Sequence, residues 1–180
     1  MKKLLSVLLL FMGIAAQSQI NKVVIQASGL TCSMCSNSIN KALKSIEYVD
    51  KVVANIKNSS FEITFKPSAS VSFDQLKKKV EAAGFFVAKF EVSILFKNVV
   101  VSKDAHIEWN GTMYHFLDTG DRVLNEETTI RVLDKGFVSA KEFKRNSKLT
   151  SMECYQTGVM GKCCDLKNKS AGVRIYHVTI

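Results

Sequence analysis

The hydrophobic period of this chain switches from two to 3.6 across one seven-residue stretch, Gly29-Leu30-Thr31-Cys32-Ser33-Met34-Cys35, and that switch limits what the N-terminal half can become. Upstream, Lys22 to Ser28 alternates, with Val23, Ile25 and Ala27 on one face, as a half-buried strand does. Downstream, Ile39, Ala42, Leu43 and Ile46 fall at helical spacing within the run from Ser36 to Glu47. The junction is therefore a strand-to-helix loop carrying two thiols separated by two residues. That spacing lets both sulfurs face one small ion, and thiolates select Cu(I), zinc-group metals or iron–sulfur clusters over hard cations. Cys35 falls at or just inside the helix start, where backbone N–H groups and the positive end of the helix dipole stabilise a thiolate.

The segment before the first strand sets the compartment. Met1-Lys2-Lys3 is a short basic region, Leu4 to Ile14 is an apolar core, and Ala16-Gln17-Ser18 offers small residues for cleavage. This pattern predicts a signal peptide over residues 1–18 and a secreted or periplasmic mature chain starting near Gln19. An uncleaved anchor fits less well, because spanning a bilayer takes about 20 apolar residues and the run breaks at Gln17. No stable membrane span is expected after cleavage. Loss of Lys2 and Lys3 lowers the formal charge of +9 to +7. A basic balance of that size would favour nucleic acid in a cytosolic chain, but export removes most of the weight of that reading, so no nucleic-acid partner is expected; the lysines are scattered, with only Lys77-Lys78-Lys79 contiguous, as on a solvated surface.

The rest of the N-terminal half continues in the same local grammar. Val49 to Ile56 and Ser60 to Phe65 read as strands joined by a tight turn at Asn58-Ser59. Ser72 and Gln75 form a capping-box pair, Phe73, Leu76, Val80 and Ala83 supply an apolar helical stripe, and Gly84 stands where a C-terminal cap belongs. Phe85 to Phe90 returns as a strand. The order β-α-β-β-α-β is that of the ferredoxin-like fold. With the Cys-x-x-Cys motif in its first β-to-α loop and Ala83-Gly84-Phe85 closing its second helix, the segment from about Asn21 to Phe90 resembles the heavy-metal-associated domain of copper chaperones, metal-transporting ATPases and the periplasmic mercury-binding protein.

That resemblance implies that Cys32 and Cys35 are metal ligands and that Phe85 packs near the metal loop. Leu30 stands where the family usually has Met, a loop-packing residue, so the similar-volume swap preserves the role. Met34, between the thiols, is expected to be exposed or to shield the site. Two thiolates suit Cu(I), Ag(I) or Hg(II), whereas Zn(II) prefers four ligands. Family members acting on zinc, cadmium or lead often carry Asp just before the first cysteine. Thr31 occupies that position here and tilts the reading to Cu(I), with Hg(II) open.

From Glu91 onward the pattern becomes β-rich. Phe90 to Val101 and Ala105 to Leu117 favour strands, with Asn110-Gly111 a type I′ hairpin signal inside the second. Thr128 to Leu133 and Gly172 to Ile180 read as further strands, and Ser139 with Glu142 caps a short helix containing Phe143 and ending near Arg145. The overall expectation is an α+β chain: a metal-binding domain over residues 19–90, then a small β barrel or sandwich, OB-like in its strand content, over residues 91–180. No Pro/Gly-rich linker separates them, so close packing of the two is expected.

The second half also contains Met152-Glu153-Cys154 and Met160-Gly161-Lys162-Cys163-Cys164. After export, the favoured reading is a disulfide from Cys154 to Cys163 or Cys164, worth about 2–3 kcal/mol. The competing reading is a second Cu(I) site formed by the three cysteines with Met152 or Met160. His106, His115 and His177 lie in strand-like runs, where surface or hydrogen-bonded roles are commoner than ligation, and no Cys–His pair has zinc-site spacing. No catalytic signature is present, so the chain is expected not to be an enzyme. The functional expectation is an exported soft-metal carrier or buffer that exchanges its ion with a donor or acceptor protein, an acidic one suiting the basic surface. Mercury detoxification, thiol–disulfide redox chemistry and a metal-sensing adaptor are the alternatives.

Overall fold

Val23 and Ile25 are fully buried at the centre of the first strand, and the N-terminal half assembles around them. The computed structural model describes residues 20–30, 33–164 and 171–180, so the expected signal peptide, Thr31 and Cys32 lie outside the described residues. The first strand, β1 (Ile20–Ser28), is followed by α1 (Ser33–Lys44), β2 (Val49–Asn55), β3 (Ser60–Phe65), α2 (Phe73–Ala82) and β4 (Phe86–Leu95). Strand β1 pairs antiparallel with β3 on one side and β4 on the other, and β2 flanks β3. This is the expected ferredoxin-like arrangement. Ile39 and Leu43 of α1 and Phe73, Leu76 and Val80 of α2 are buried in the same core as β1.

The local signals act where they were read. Ser72 Oγ accepts the Gln75 N–H at 3.3 Å and caps α2. Gly84 takes φ +90° just past that helix, a conformation an L side chain rarely adopts. The turn between β2 and β3 is closed by Asn58 N–H donating to Asn55 Oδ1 at 3.3 Å, with Ser59 at φ 51°.

The second half departs from the expected barrel or sandwich. Its strands are β5 (Val99–Val101), β6 (Ala105–Trp109), β7 (Thr112–Phe116), β8 (Arg122–Leu124), β9 (Glu127–Val132) and β10 (Ile175–Thr179), with α3 (Ala140–Asn146) and α4 (Cys154–Thr157) between β9 and β10. Four of these strands join the N-terminal sheet, giving eight in the order β2-β3-β1-β4-β9-β10-β7-β6, while β5 and β8 pair separately. The reason lies in β4. It runs through residue 90 to Leu95, so the segment Glu91–Leu95 presents an edge on which β9 pairs, from Glu91↔Arg131 to Leu95↔Glu127. A β-rich segment that can satisfy its backbone on an existing edge has no need to close on itself. The expected strand over 90–101 is correspondingly split between β4 and β5, with Asn98 at φ 53° in the break.

Packing joins the halves as firmly as the backbone does. Phe73 of α2 meets Phe90 of β4 with ring centroids 5.5 Å apart and Tyr176 of β10 at 4.8 Å, and Phe137 stands edge-on to Phe90 at 5.0 Å. Beside them Arg174 Nε donates to Asp74 Oδ2 at 2.8 Å, and the Tyr176 hydroxyl donates to the same oxygen at 3.0 Å. Burial works to raise the Asp74 carboxyl, but Arg174 and Tyr176 outweigh it and hold the group below its ordinary value.

Two outcomes follow from this junction. Phe73→Ala should cost about 3–5 kcal/mol, and the fluorescence of Trp109 in the second half should lose its native signal at the same urea concentration as the far-ultraviolet dichroism; separate transitions would contradict a shared core. Because the folded-state pKa of Asp74 is depressed, its contribution is present above about pH 4 and is lost as pH falls through the folded value. The gap in urea midpoint between wild type and Asp74→Asn should therefore be widest near neutrality and shrink below about pH 4.

Candidate metal centres

The first candidate site is the loop between β1 and α1. Gly29 turns the chain with φ +83°, and Leu30 tucks against the main core, as does Phe85 at the end of the α2–β4 connection. Ser28 Oγ, at the end of β1, donates to the Phe86 carbonyl at 3.3 Å and fastens the loop's base to the start of β4. Cys35 lies in the first turn of α1 and is half-buried, while Met34 is 79% exposed. Met34, next to Cys35 in the chain, therefore faces solvent. No acidic residue occupies the first turn of α1, so no carboxylate competes for the helix N–H groups there.

A second constellation lies at the far end of the sheet. The antiparallel register of β6 and β7 sets His106 opposite His115, and the parallel register of β7 and β10 sets His115 beside His177. Residues paired across neighbouring strands project to one face, so the three imidazoles form a row across three strands. The His106 and His115 rings stack at 4.3 Å, and the His115 and His177 centroids are 5.0 Å apart.

Cys154, the first residue of α4, caps this row. Its Sγ lies 3.6 Å from His115 Nδ1, 3.5 Å from His177 Nε2 and 3.9 Å from His106 Nε2. Behind the imidazoles stand two carboxylates. Asp104 Oδ1 is 3.0 Å from His115 Nε2, and Asp134 Oδ1 is 2.7 Å from His177 Nδ1 while its other oxygen accepts the His177 backbone N–H at 3.1 Å. His115, His177 and Asp134 are all buried.

The other two cysteines complete the cluster. Cys163 Sγ accepts the Cys154 N–H at 3.3 Å and stands 3.6 Å from Cys164 Sγ. No disulfide joins Cys154, Cys163 or Cys164. Met160 and Met113 are buried in the same group, and Met152 packs against it. The structure thus gathers all five Cys and Met residues singled out in this half.

The electrostatics follow from burial. His115 is pushed down to about 4 by burial and by the neighbouring His106 and His177, against the pull of Asp104, so its ring is neutral at pH 7. Asp104 holds the single ring proton on Nε2, which leaves the Nδ1 lone pair facing Cys154. Burial, then Cys164 and Cys163, push the Cys154 thiol up. Burial acts the same way on Cys163, but the Cys154 N–H and the Cys164 thiol outweigh it and bring that thiol down.

His106, His115, His177, Asp104 and Asp134 were not among the residues expected to form a site. Part of the signal was available: a two-residue turn at Asn110-Gly111 forces the register that sets His106 against His115, and both turn residues do take positive φ. The parallel β7–β10 pairing that adds His177, and the position of Cys154 above the row, have no local marker. In metal-free protein at pH 7, nitrogen-15 shifts should show His115 as the neutral Nε2–H tautomer, protonating only as pH approaches about 4; a charged ring at pH 6 would contradict the arrangement.

Comparison with known proteins bears on the first site. The model of the heavy-metal-associated domain matches residues 24–86. The periplasmic component of the mercuric transport protein of Pseudomonas fluorescens is 34% identical over 86 residues, covering 47% of this chain and 93% of that protein. A probable copper-transporting ATPase of Arabidopsis thaliana, HMA5, is 33% identical over 72 residues, covering 40% of this chain but only 7% of the ATPase. Among solved structures, oxidized MerP from Ralstonia metallidurans CH34 aligns at 29% identity and a TM-score of 0.35, over 38% of this chain and 93% of that one. The chain therefore spans less than a tenth of the copper ATPase, and the second constellation lies beyond the residues matched by the domain model.

Proposed function

The chain belongs to the heavy-metal-associated domain family, and from that membership we propose that it is an exported carrier of a soft metal ion, Cu(I) first, bound by the thiolates of Cys32 and Cys35. The observation that carries this reading is the setting of Cys35: half-buried in the first turn of α1, beside an exposed Met34, with Leu30 and Phe85 both packed against the main core. Such a loop can seat an ion while leaving one side open to an incoming ligand. Cu(I) accepts two or three soft donors, so a partner's thiolate can add before one of the original sulfurs departs. The ion then passes between proteins without being released to water and without changing oxidation state.

The other parts of the reading follow from composition and kinship. The leader-like N-terminus supports export, and the net positive charge expected after its removal suits docking to an acidic donor or acceptor. A carrier needs no catalytic group, and the loop offers none beyond its thiols. Hg(II) is the second reading, favoured by the near-complete coverage of the mercuric periplasmic component. Thr31, in place of an acidic residue, supports a monovalent ion over zinc.

Anaerobic titration of Cu(I), Hg(II) and Zn(II) into reduced wild type and a Cys32→Ser/Cys35→Ser double variant tests the proposal. The variant should bind one fewer equivalent of Cu(I) than wild type, with the dichroism spectrum unchanged. Equal stoichiometry and affinity in the two proteins would overturn it, and a loss confined to Hg(II) would move the assignment to mercury.

A further inference from the structure

The arrangement around Cys154 is more ordered than a buried polar core requires. Around one first-row ion with bonds of about 2.3 Å to sulfur and about 2.0 Å to nitrogen, ligand atoms stand roughly 3.3–4 Å from one another. Cys154 Sγ has His115 Nδ1 at 3.6 Å and His177 Nε2 at 3.5 Å, and Cys163 Sγ has Cys164 Sγ at 3.6 Å. These are ligand-to-ligand spacings. Two sets of three donors form, His106–His115–Cys154 and Cys154–Cys163–Cys164, each with all its donor atoms within 4.8 Å of one another and sharing the Cys154 sulfur.

Hydrogen-bond accounting points the same way. With its far nitrogen donating to Asp104, the neutral ring of His115 turns its Nδ1 lone pair toward Cys154, whose sulfur also lies 3.9 Å from His106 Nε2. A thiol has one proton and can serve one ring nitrogen. A cation at this position serves several at once. Carboxylates on the far nitrogens of imidazoles are also the usual second layer of a metal site, where they fix ring orientation and raise ligand basicity.

We propose that the second half of the chain holds its own buried Cu(I) centre, organised on the thiolate of Cys154, with Cys163 and Cys164 completing one three-coordinate set and His106 and His115 the other. The donors are thiolate and imidazole, and among the described residues neither set includes a carboxylate, which suits a soft ion. The coordination number favours Cu(I) over Zn(II): among the described residues the donors assemble in threes and not in the fours that structural zinc takes. On binding, each ligating Sγ–H gives its proton to solvent as the sulfur–copper bond forms, and copper stays monovalent. The site is independent of the Cys32–Cys35 loop, so the chain would carry metal at two places.

The test uses the full chain bearing Cys32→Ser and Cys35→Ser, which removes the first site from the measurement. Anaerobic competition with a chromophoric Cu(I) chelator should show this variant retaining one to two equivalents, and X-ray absorption should show sulfur and nitrogen neighbours in a three-coordinate environment. Adding Cys154→Ser should abolish retention, because that sulfur belongs to both sets. Adding Cys163→Ser, a half-buried position, should leave the dichroism spectrum native and weaken retention at least tenfold, which separates loss of a ligand from loss of fold. No Cu(I) held by the folded double variant would overturn the proposal. So would retention unchanged by Cys154→Ser, a four-coordinate Zn(II) that displaces Cu(I), or a Cys154 disulfide that persists with Cu(I) and reductant present. Since the first site is absent throughout, failure here is distinct from failure of the Cys32–Cys35 reading.

Discussion

The pairing of β9 along the outer edge of β4 is the contact on which the rest of the structure depends. Without it, the N-terminal ferredoxin-like unit would end in an exposed edge strand, and the remaining strands would need a core of their own. With it, the backbone groups of Glu91 to Leu95 are satisfied by Glu127 to Arg131, and β10, β7 and β6 follow outward in one sheet. The aromatic contacts of Phe73, Phe90, Phe137 and Tyr176 fill the space this creates beneath α2. The same registers that extend the sheet also align His106, His115 and His177. One sheet thus carries a half-buried Cys35 at the head of α1 in its first half and an imidazole–thiol cluster, with His115, His177 and Cys154 buried, in its second.

A continuous polar path ties the two halves together. Asp74 at the start of α2 holds Arg174 at 2.8 Å, and Arg174 Nη2 lies 3.7 Å from Asp134. Asp134 in turn holds His177 at 2.7 Å, and His177 faces Cys154 at 3.5 Å. Asp134 is buried, and a charge there is costly unless it is matched. Here each member has its partner, and the orientation of the histidine at the second cluster is fixed by a chain of contacts that begins in the N-terminal unit.

What could be read from the sequence was what neighbouring residues decide. The Ser72–Gln75 cap, the glycine after α2, the Asn110-Gly111 hairpin and the Ser139–Glu142 cap, where Ser139 Oγ accepts the Glu142 N–H at 3.2 Å, are interactions between residues at most a few positions apart. The strand-to-helix junction between β1 and α1 was legible for the same reason. The continuous sheet was not, because β4 meets β9 across more than thirty residues, and the alternation of β9 is as compatible with a barrel as with an edge. The second cluster was legible only in fragments: its cysteines stand close in sequence, His106 and His115 are linked by a hairpin, and His177 arrives through a parallel pairing that no turn specifies. Read one at a time, each histidine was an ordinary strand residue, and only their shared row makes them a set.

The central claim is that one sheet positions two separate soft-metal sites. Anomalous scattering at the copper absorption edge, from crystals of reduced protein loaded anaerobically with excess Cu(I), tests it most directly. The account predicts anomalous peaks at two places, one at the Cys32–Cys35 loop and one beside the Cys154 sulfur. A single peak at the loop, with Cys154 in a disulfide or surrounded only by protein, would contradict it.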